Sequence, residues 1–211
     1  MISITFLSNF IGRLKRIFKK KKNVKIGLYG PPNGGKTTLA NRICLDWLGE
    51  EMGAVSEVEH ETRQIQIKEE VQIQAKGKSV TFNLVDTPGI ATKVDFEDFL
   101  KAGMDDETAK LRAKEATKGI IESIKWIENM DVVLVVLDAT KNPYSQVNIT
   151  IVGNLAARNI PVIIVANKVD LKEAEISKVE EAFPQYKVIG VSAKFGTNIQ
   201  DFYDLVVDSV R

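Results

Sequence analysis

Apolar runs of strand length alternate with helical stripes along residues 24–211 of this 211-residue chain. That is the plan of a parallel sheet layered with helices. Residues 24–29, 80–85, 131–138, 161–166 and 186–191 read as strands, and 131–138 and 161–166 are so continuously apolar that both faces must be covered. Residues 64–67 and 71–74 instead alternate polar and apolar, and Lys76-Gly77 then turns the chain into the strand ending at Asp86, which predicts an antiparallel edge hairpin. Helices are predicted over 38–47, with Leu39, Ile43 and Trp47 on one face, and over 107–129, with Ala113, Ala116, Ile120, Ile124 and Ile127 in one stripe. Two more are predicted over 145–158 and over 198–210, the last turning Ile199, Phe202, Leu205 or Val206, and Val210 inward. The stretch between Ile90 and Asp106 reads as a long, polar, mobile segment. The expected fold is α/β: a mostly parallel six-stranded sheet with one antiparallel edge strand and helices on both faces.

Residues 1–23 break this pattern and form a separate basic amphipathic segment preceding a domain at 24–211. Phe6, Phe10 or Ile11, Leu14, and Ile17 or Phe18 recur at helical spacing. Eight of the 29 basic residues lie in the first 25 positions, which contain none of the 28 acidic ones. Such a segment suits an anionic membrane surface, where each basic residue contributes about 1 kcal/mol and apolar side chains add burial. A partner protein is the second candidate for residues 1–22, and nucleic acid the third. The charge follows the apolar part, so a signal peptide is not expected, and the stretch is too short to span a bilayer. On this reading, deleting residues 1–22 leaves nucleotide binding intact and abolishes liposome association. Composition adds little: 44% hydrophobic and 27% charged residues are ordinary for a soluble domain. The lone Cys44 reads as a small core residue, with neither a disulfide framework nor a metal-ligand spacing, and the chain is placed in the cytoplasm, peripheral at the inner membrane face.

The chemistry lies at strand ends. Gly30-Pro31-Pro32-Asn33-Gly34-Gly35-Lys36-Thr37 matches the phosphate-binding loop G-x-x-x-x-G-K-[ST], between a strand and a helix as the motif requires. Backbone N–H groups of such a loop and the positive helix end face an anion. Asn33, Gly34, Gly35, Lys36, Thr37 and Thr38 are therefore candidate nucleotide contacts, with Lys36 reaching the β- and γ-phosphates and Thr37 taking a position on Mg²⁺. The strand at 161–166 delivers Asn167-Lys168-Val169-Asp170. The Asp170 carboxylate can accept from both N1–H and N2–H₂ of guanine, a donor pair adenine lacks. Lys168 is expected to lay its stem over the base, and Asn167 to tie this loop to the phosphate loop and face the base. After the next strand, Ser192-Ala193-Lys194 offers the Ala193 N–H to guanine O6 and Lys194 to the other ring face. Asp86-Thr87-Pro88-Gly89 places Asp86 where it can hold Mg²⁺ through water and Gly89 where its N–H can meet the γ-phosphate. Thr62 is the candidate to close over Mg²⁺ and the γ-phosphate, with Ser56 as the alternative. His60, the only histidine, reads as a solvated loop residue.

These five elements in this order resemble the guanine-nucleotide motifs of the translation-factor-related P-loop GTPases. Pro32-Asn33, Thr62-Arg63 and Asp86-Thr87-Pro88-Gly89 resemble the Era-like group within them. The resemblance covers the G domain only, without a KH domain after the last helix, so the RNA function of Era is not carried over. It implies a P-loop GTPase fold and a GTP/GDP switch of low intrinsic rate, in which Lys36, Thr62 and Gly89 serve catalysis and Thr37, Thr62 and Asp86 serve the metal. Where Ras-type GTPases carry a Gln to orient water, this chain carries Ile90. Mg²⁺ is the implied cofactor and K⁺ a candidate second one, because the position of Asn33 supplies a side-chain oxygen to a monovalent cation in K⁺-stimulated relatives. The effector is left open. The competing functions are a GTP-dependent RNA or ribosome-assembly factor and a GTP-binding module without turnover.

Overall fold

The computed structural model describes residues 4–21, 23–52, 64–91 and 94–210. The elements in chain order are α1 (Ile4–Lys20), β1 (Lys25–Tyr29), α2 (Lys36–Leu48), β2 (Gln66–Ala75), β3 (Lys78–Asp86), α3 (Phe96–Lys101), α4 (Asp106–Trp126), β4 (Val132–Asp138), α5 (Gln146–Ala157), β5 (Val162–Asn167), α6 (Ile176–Ala182), β6 (Lys187–Val191) and α7 (Ile199–Val210). The sheet order is β2-β3-β1-β4-β5-β6, parallel throughout except for the β2–β3 pair at one edge.

Side chains of a strand alternate between sheet faces, and here the alternation separates two cores. Ile26, Leu28, Leu134, Val136, Ile163 and Val165 join residues of α1, α2 and α7. Tyr29, Val133, Val135, Leu137 and Ile164 face α4, α5 and α6. All parallel strands end at one pole, where Leu28 lies level with Asp86, and Asp138 with Asn167. In open α/β sheets that carboxyl edge is where ligands bind.

The edge hairpin forms with Lys76 and Gly77 both at positive φ, 51° and 70°, the handedness that a two-residue turn needs to match strand twist. The strand feeding it is irregular: the register shifts between Lys68 and Val71, Glu70 has φ 55°, and its N–H donates to Asn83 Oδ1. This bulge separates the two polar–apolar repeats seen in the sequence.

Three expectations are corrected. The segment after Ile90 is not simply polar and mobile: it contains α3, capped by the Asp95 side chain, with Phe99 buried against Ala109 and Ala116 of α4. The helix predicted to run to Asn129 stops at Trp126 and tightens into a 3₁₀ turn over Ile127–Asn129. Finally, the Leu14–Phe18 part of α1 is not set apart from the domain but packs on it. Leu14 is 1% exposed, Ile17 and Phe18 pack on the same core, and Leu14 and Phe18 line a crevice with Ile26, Val132, Leu134, Ile163 and Val206. The ends of this contact are pinned by Arg13, which donates to Asn159 O, and by Lys21 Nζ, 2.6 Å from Asp131 Oδ1. None of the described helices is long and apolar enough to cross a membrane.

Candidate functional site

The phosphate loop joins β1 to α2, and its geometry depends on close backbone approach. Gly35 caps α2 at φ 91°, and a Cβ there would lie 2.1 Å from Asn167 Nδ2, so only glycine satisfies both the conformation and the space. Lys36 is buried, its Nζ donating to Pro31 O at 2.8 Å. Burial lowers its pKa to about 8, with Asp86 pulling the other way. A cation so short of solvent and of counter-charge is suited to a phosphate anion.

Asp86, at the end of β3, is wholly buried. Its Oδ2 accepts from the Thr37 hydroxyl at 2.6 Å, while its Oδ1 has no hydrogen-bond partner among the described residues. Burial raises its pKa, against the opposing effects of the Thr37 hydroxyl and Lys36. Buried carboxylate oxygens are rarely left unpaired. An orphan carboxylate oxygen beside a hydroxyl and a phosphate loop fits Mg²⁺, which takes one or two protein oxygens and completes its shell with water and phosphate.

The loop after Asp86 lies directly on the phosphate loop. Thr87 Oγ1 donates to Leu28 O at 2.7 Å, and the Ile90 N–H donates to Gly30 O at 3.0 Å. A Cβ on Gly89 would come within 2.8 Å of Pro32 Cα. Ile90 is buried, so its side chain takes no part in holding water.

Asn167 is the hub of the loops that follow β5 and β6. Its Nδ2 donates to Gly34 O at 3.1 Å and its Oδ1 accepts the Ala193 N–H at 2.9 Å, so both ends of the amide are engaged by protein. The tie to the phosphate loop is present. Each end of the amide keeps one further N–H or lone pair, and the Ala193 N–H expected at guanine O6 is directed at Asn167 Oδ1. Lys168, at φ 68°, places its Nζ 2.6 Å from Asp138 Oδ2. Burial would raise the Asp138 pKa, but the Lys168 bond and those from Thr140 outweigh it and hold it below the usual range. Asp170 is exposed and has no bonding partner among the described residues, leaving both carboxylate oxygens open. Ser192 is buried, its Oγ accepting the Phe195 N–H and its carbonyl the Gly196 N–H, while the Lys194 ammonium lies 5.3 Å from the Phe195 ring centroid.

The site residues from Asn33 to Thr38, with Asp86, Gly89, Asn167, Lys168, Asp170, Ser192, Ala193 and Lys194, thus lie at the carboxyl ends of strands, on the loops that follow them and on the first turn of α2, along one sheet edge. Thr62, like Ser56 and His60, lies outside the described residues. Two contributors are invisible to motif reading. Asp138 anchors Lys168, and its only sequence signal is that it ends a buried strand. Arg42 of α2, paired with Asp46, reaches Ala193 O and Lys194 O at 3.5 Å each, and nothing local in the sequence marks it.

The chain matches the family described as 50S ribosome-binding GTPase over residues 25–168. It is 31% identical over 199 residues to GTPase Der of Mycoplasma mycoides, covering 90% of this chain but 40% of that protein. It is also 34% identical over 163 residues to the tRNA modification GTPase MnmE of Helicobacter pylori, covering 76% of this chain and 29% of MnmE. The chain therefore spans less than half the length of these relatives. Among solved structures, Aquifex aeolicus Era bound to GDP and AlF4⁻ superposes with a TM-score of 0.63 at 23% identity, covering 90% of this chain and 58% of that one. A probable GTP-binding protein EngB gives 0.56 at 20% identity, covering 89% of this chain and 99% of that one. The match across the phosphate loop, Asp86 to Gly89 and Asn167-Lys168, on a sheet that carries each at its carboxyl edge, makes this chain a member of the 50S ribosome-binding GTPase family.

Proposed function

We propose that the chain is a Mg²⁺-dependent guanine-nucleotide switch that turns GTP over slowly. The observation carrying this reading is Asn167, whose one side chain joins the phosphate loop to the Ser192–Lys194 loop beside the open carboxylate of Asp170. In this assignment Lys36 and the loop N–H groups hold the phosphates, Asp170 selects guanine, and Gly89 offers its N–H to the γ-phosphate. Thr37 and Asp86 hold the metal with Thr62, and Mg²⁺ when bound neutralises phosphate charge. Catalysis consists of positioning and fixed charge, with Lys36, Gly89 and Thr62 facing the transferring group. Asn33, exposed and at φ 57° in the loop, is the proposed side-chain ligand for K⁺.

One assay tests these assignments together. GTP hydrolysis, measured with Mg²⁺ or with EDTA, is expected only with Mg²⁺, and ATP is expected to remain intact. At equal ionic strength KCl is expected to exceed NaCl, and Asn33→Ala to remove that difference. No GTP turnover and no GTP binding in any salt would sink the switch. Equal rates in KCl and NaCl would sink the role of K⁺ alone.

A second reading concerns location. Lys15, Arg16, Lys19 and Lys20 are exposed on α1 while Leu14 is buried beneath them, so this part of the leader offers charge outward. We propose that this face meets anionic lipid at the inner membrane surface by electrostatics, at about 1 kcal/mol per basic residue. Co-sedimentation with phosphatidylserine vesicles is expected at low salt, to fade toward physiological ionic strength as screening shortens to about 8 Å, and to vanish when the four residues become glutamine. No sedimentation at low salt would exclude it. The MnmE name and an Era structure that contains 16S ribosomal RNA make RNA the competing target of the same charges, to be tried in the same assay.

A further inference from the structure

The loop that follows Asp86 is held at three points, and one of them differs from the other two. Thr87 and Ile90 are bonded to the backbone of β1 and of the phosphate loop. Between them, Pro88 O accepts from Ser123 Oγ of α4 at 3.2 Å. Ser123 is wholly buried, and the same oxygen lies 2.9 Å from Gly119 O, one helical turn back. A serine hydroxyl has a single proton, so these two carbonyls compete for one donor. Whichever loses it, the hydroxyl is never left buried and unpaired, an arrangement that lowers the cost of exchanging one acceptor for the other.

Geometry couples this exchange to the orientation of the Gly89 N–H. The Pro88–Gly89 peptide is trans, so its C=O and N–H point in opposite directions. With the carbonyl turned to α4, the Gly89 N–H is directed away from α4, and Gly89 itself is packed on Pro32 of the phosphate loop. The helix side is equally fixed. Tyr29 Oη donates to Ser123 O at 3.1 Å inside the core, and burial raises the Tyr29 pKa so far that it remains a neutral donor. Tyr29 is the last residue before Gly30, so α4 is registered against the start of the phosphate loop.

We infer that Ser123 is a positioning residue for γ-phosphate recognition: its hydroxyl proton goes to Pro88 O when Gly89 engages the γ-phosphate and to Gly119 O when that loop is released. The inference rests on the role of Gly89 proposed above. In Ser123→Ala the buried Pro88 carbonyl loses its donor, a cost borne only by the state that keeps this carbonyl against α4. GTPγS affinity is therefore expected to fall about three- to tenfold, the range for one neutral hydrogen bond, with GDP affinity within about twofold of wild type.

Fluorescent GTPγS and GDP analogues titrated with Mg²⁺ into wild type and Ser123→Ala read this directly, because a structural lesion would weaken both nucleotides together. Unchanged affinity for GTPγS, or equal loss of both nucleotides, would overturn the role of Ser123. Wild-type protein that binds no GTPγS would instead overturn the switch itself, and this inference with it. A Tyr29→Phe variant that retains its fold should show a smaller loss in the same direction; a change in GDP affinity alone would count against the coupling.

Discussion

Asp170→Asn is expected to convert a guanosine-selective site into one that prefers xanthosine nucleotides. In the proposed assignment the carboxylate accepts from two guanine donors at once, whereas an asparagine amide offers one acceptor and one donor, and its N–H₂ would face the guanine amino group. Xanthine carries a carbonyl at that position and restores the match. A hydrogen bond to a charged group contributes about 1.5–3 kcal/mol, so GTP affinity should fall by about one to two orders of magnitude for each bond lost. XTP affinity should rise correspondingly. Asp170 is exposed and unpaired among the described residues, so the substitution should not disturb folding, and a loss of GTP binding can be attributed to recognition. Competition among GTP, XTP and ATP decides the matter. Unchanged GTP affinity would remove Asp170 from the site.

Leu14→Ala should unfold the chain more easily by about 2–5 kcal/mol, because truncating a fully buried leucine loses transfer energy and leaves a cavity. In a domain of this size each kcal/mol lowers Tm by about 2–4 °C. Lys15→Ala, one position along and exposed, should stay within about 0.5 kcal/mol. Deleting residues 1–22 removes Leu14, Ile17 and Phe18 from the core together with the Lys21–Asp131 pair. The truncated chain is therefore expected to be less stable, contrary to what the leader suggests as a sequence, and charge-neutralising variants are the sounder probe of membrane association. Thermal unfolding measures both effects. A Leu14→Ala protein melting with wild type would mean that α1 is not docked in solution.

The motifs and the fold class could be read from the chain because both are local. A strand of alternating or continuous apolar residues, a glycine-rich turn and a helix are each defined within a dozen positions, and the carboxyl edge of a parallel sheet necessarily gathers the loops that follow its strands. Asp86, Asn167 and Ser192 could thus be placed near the phosphate loop without coordinates. Long-range pairing could not. An amphipathic helix announces that one face must be covered, but lipid, a partner and the chain's own sheet all satisfy that demand equally, and Leu14 fits the crevice beside Ile26 and Val206 through contacts that no periodicity encodes. The same holds for polar atoms with a choice of partners. Lys168 has an ammonium with several possible partners and pairs with Asp138, and Asn167 has an amide that bridges two loops; the outcome depends on which acceptor lies within hydrogen-bond reach after folding. Local pattern sufficed for the motif loops, the sheet and its two faces, whereas the docking of α1, the packing of the helix after Ile90 and the two acceptors of Ser123 follow from distances between residues far apart in the chain, which arise only when the two cores close.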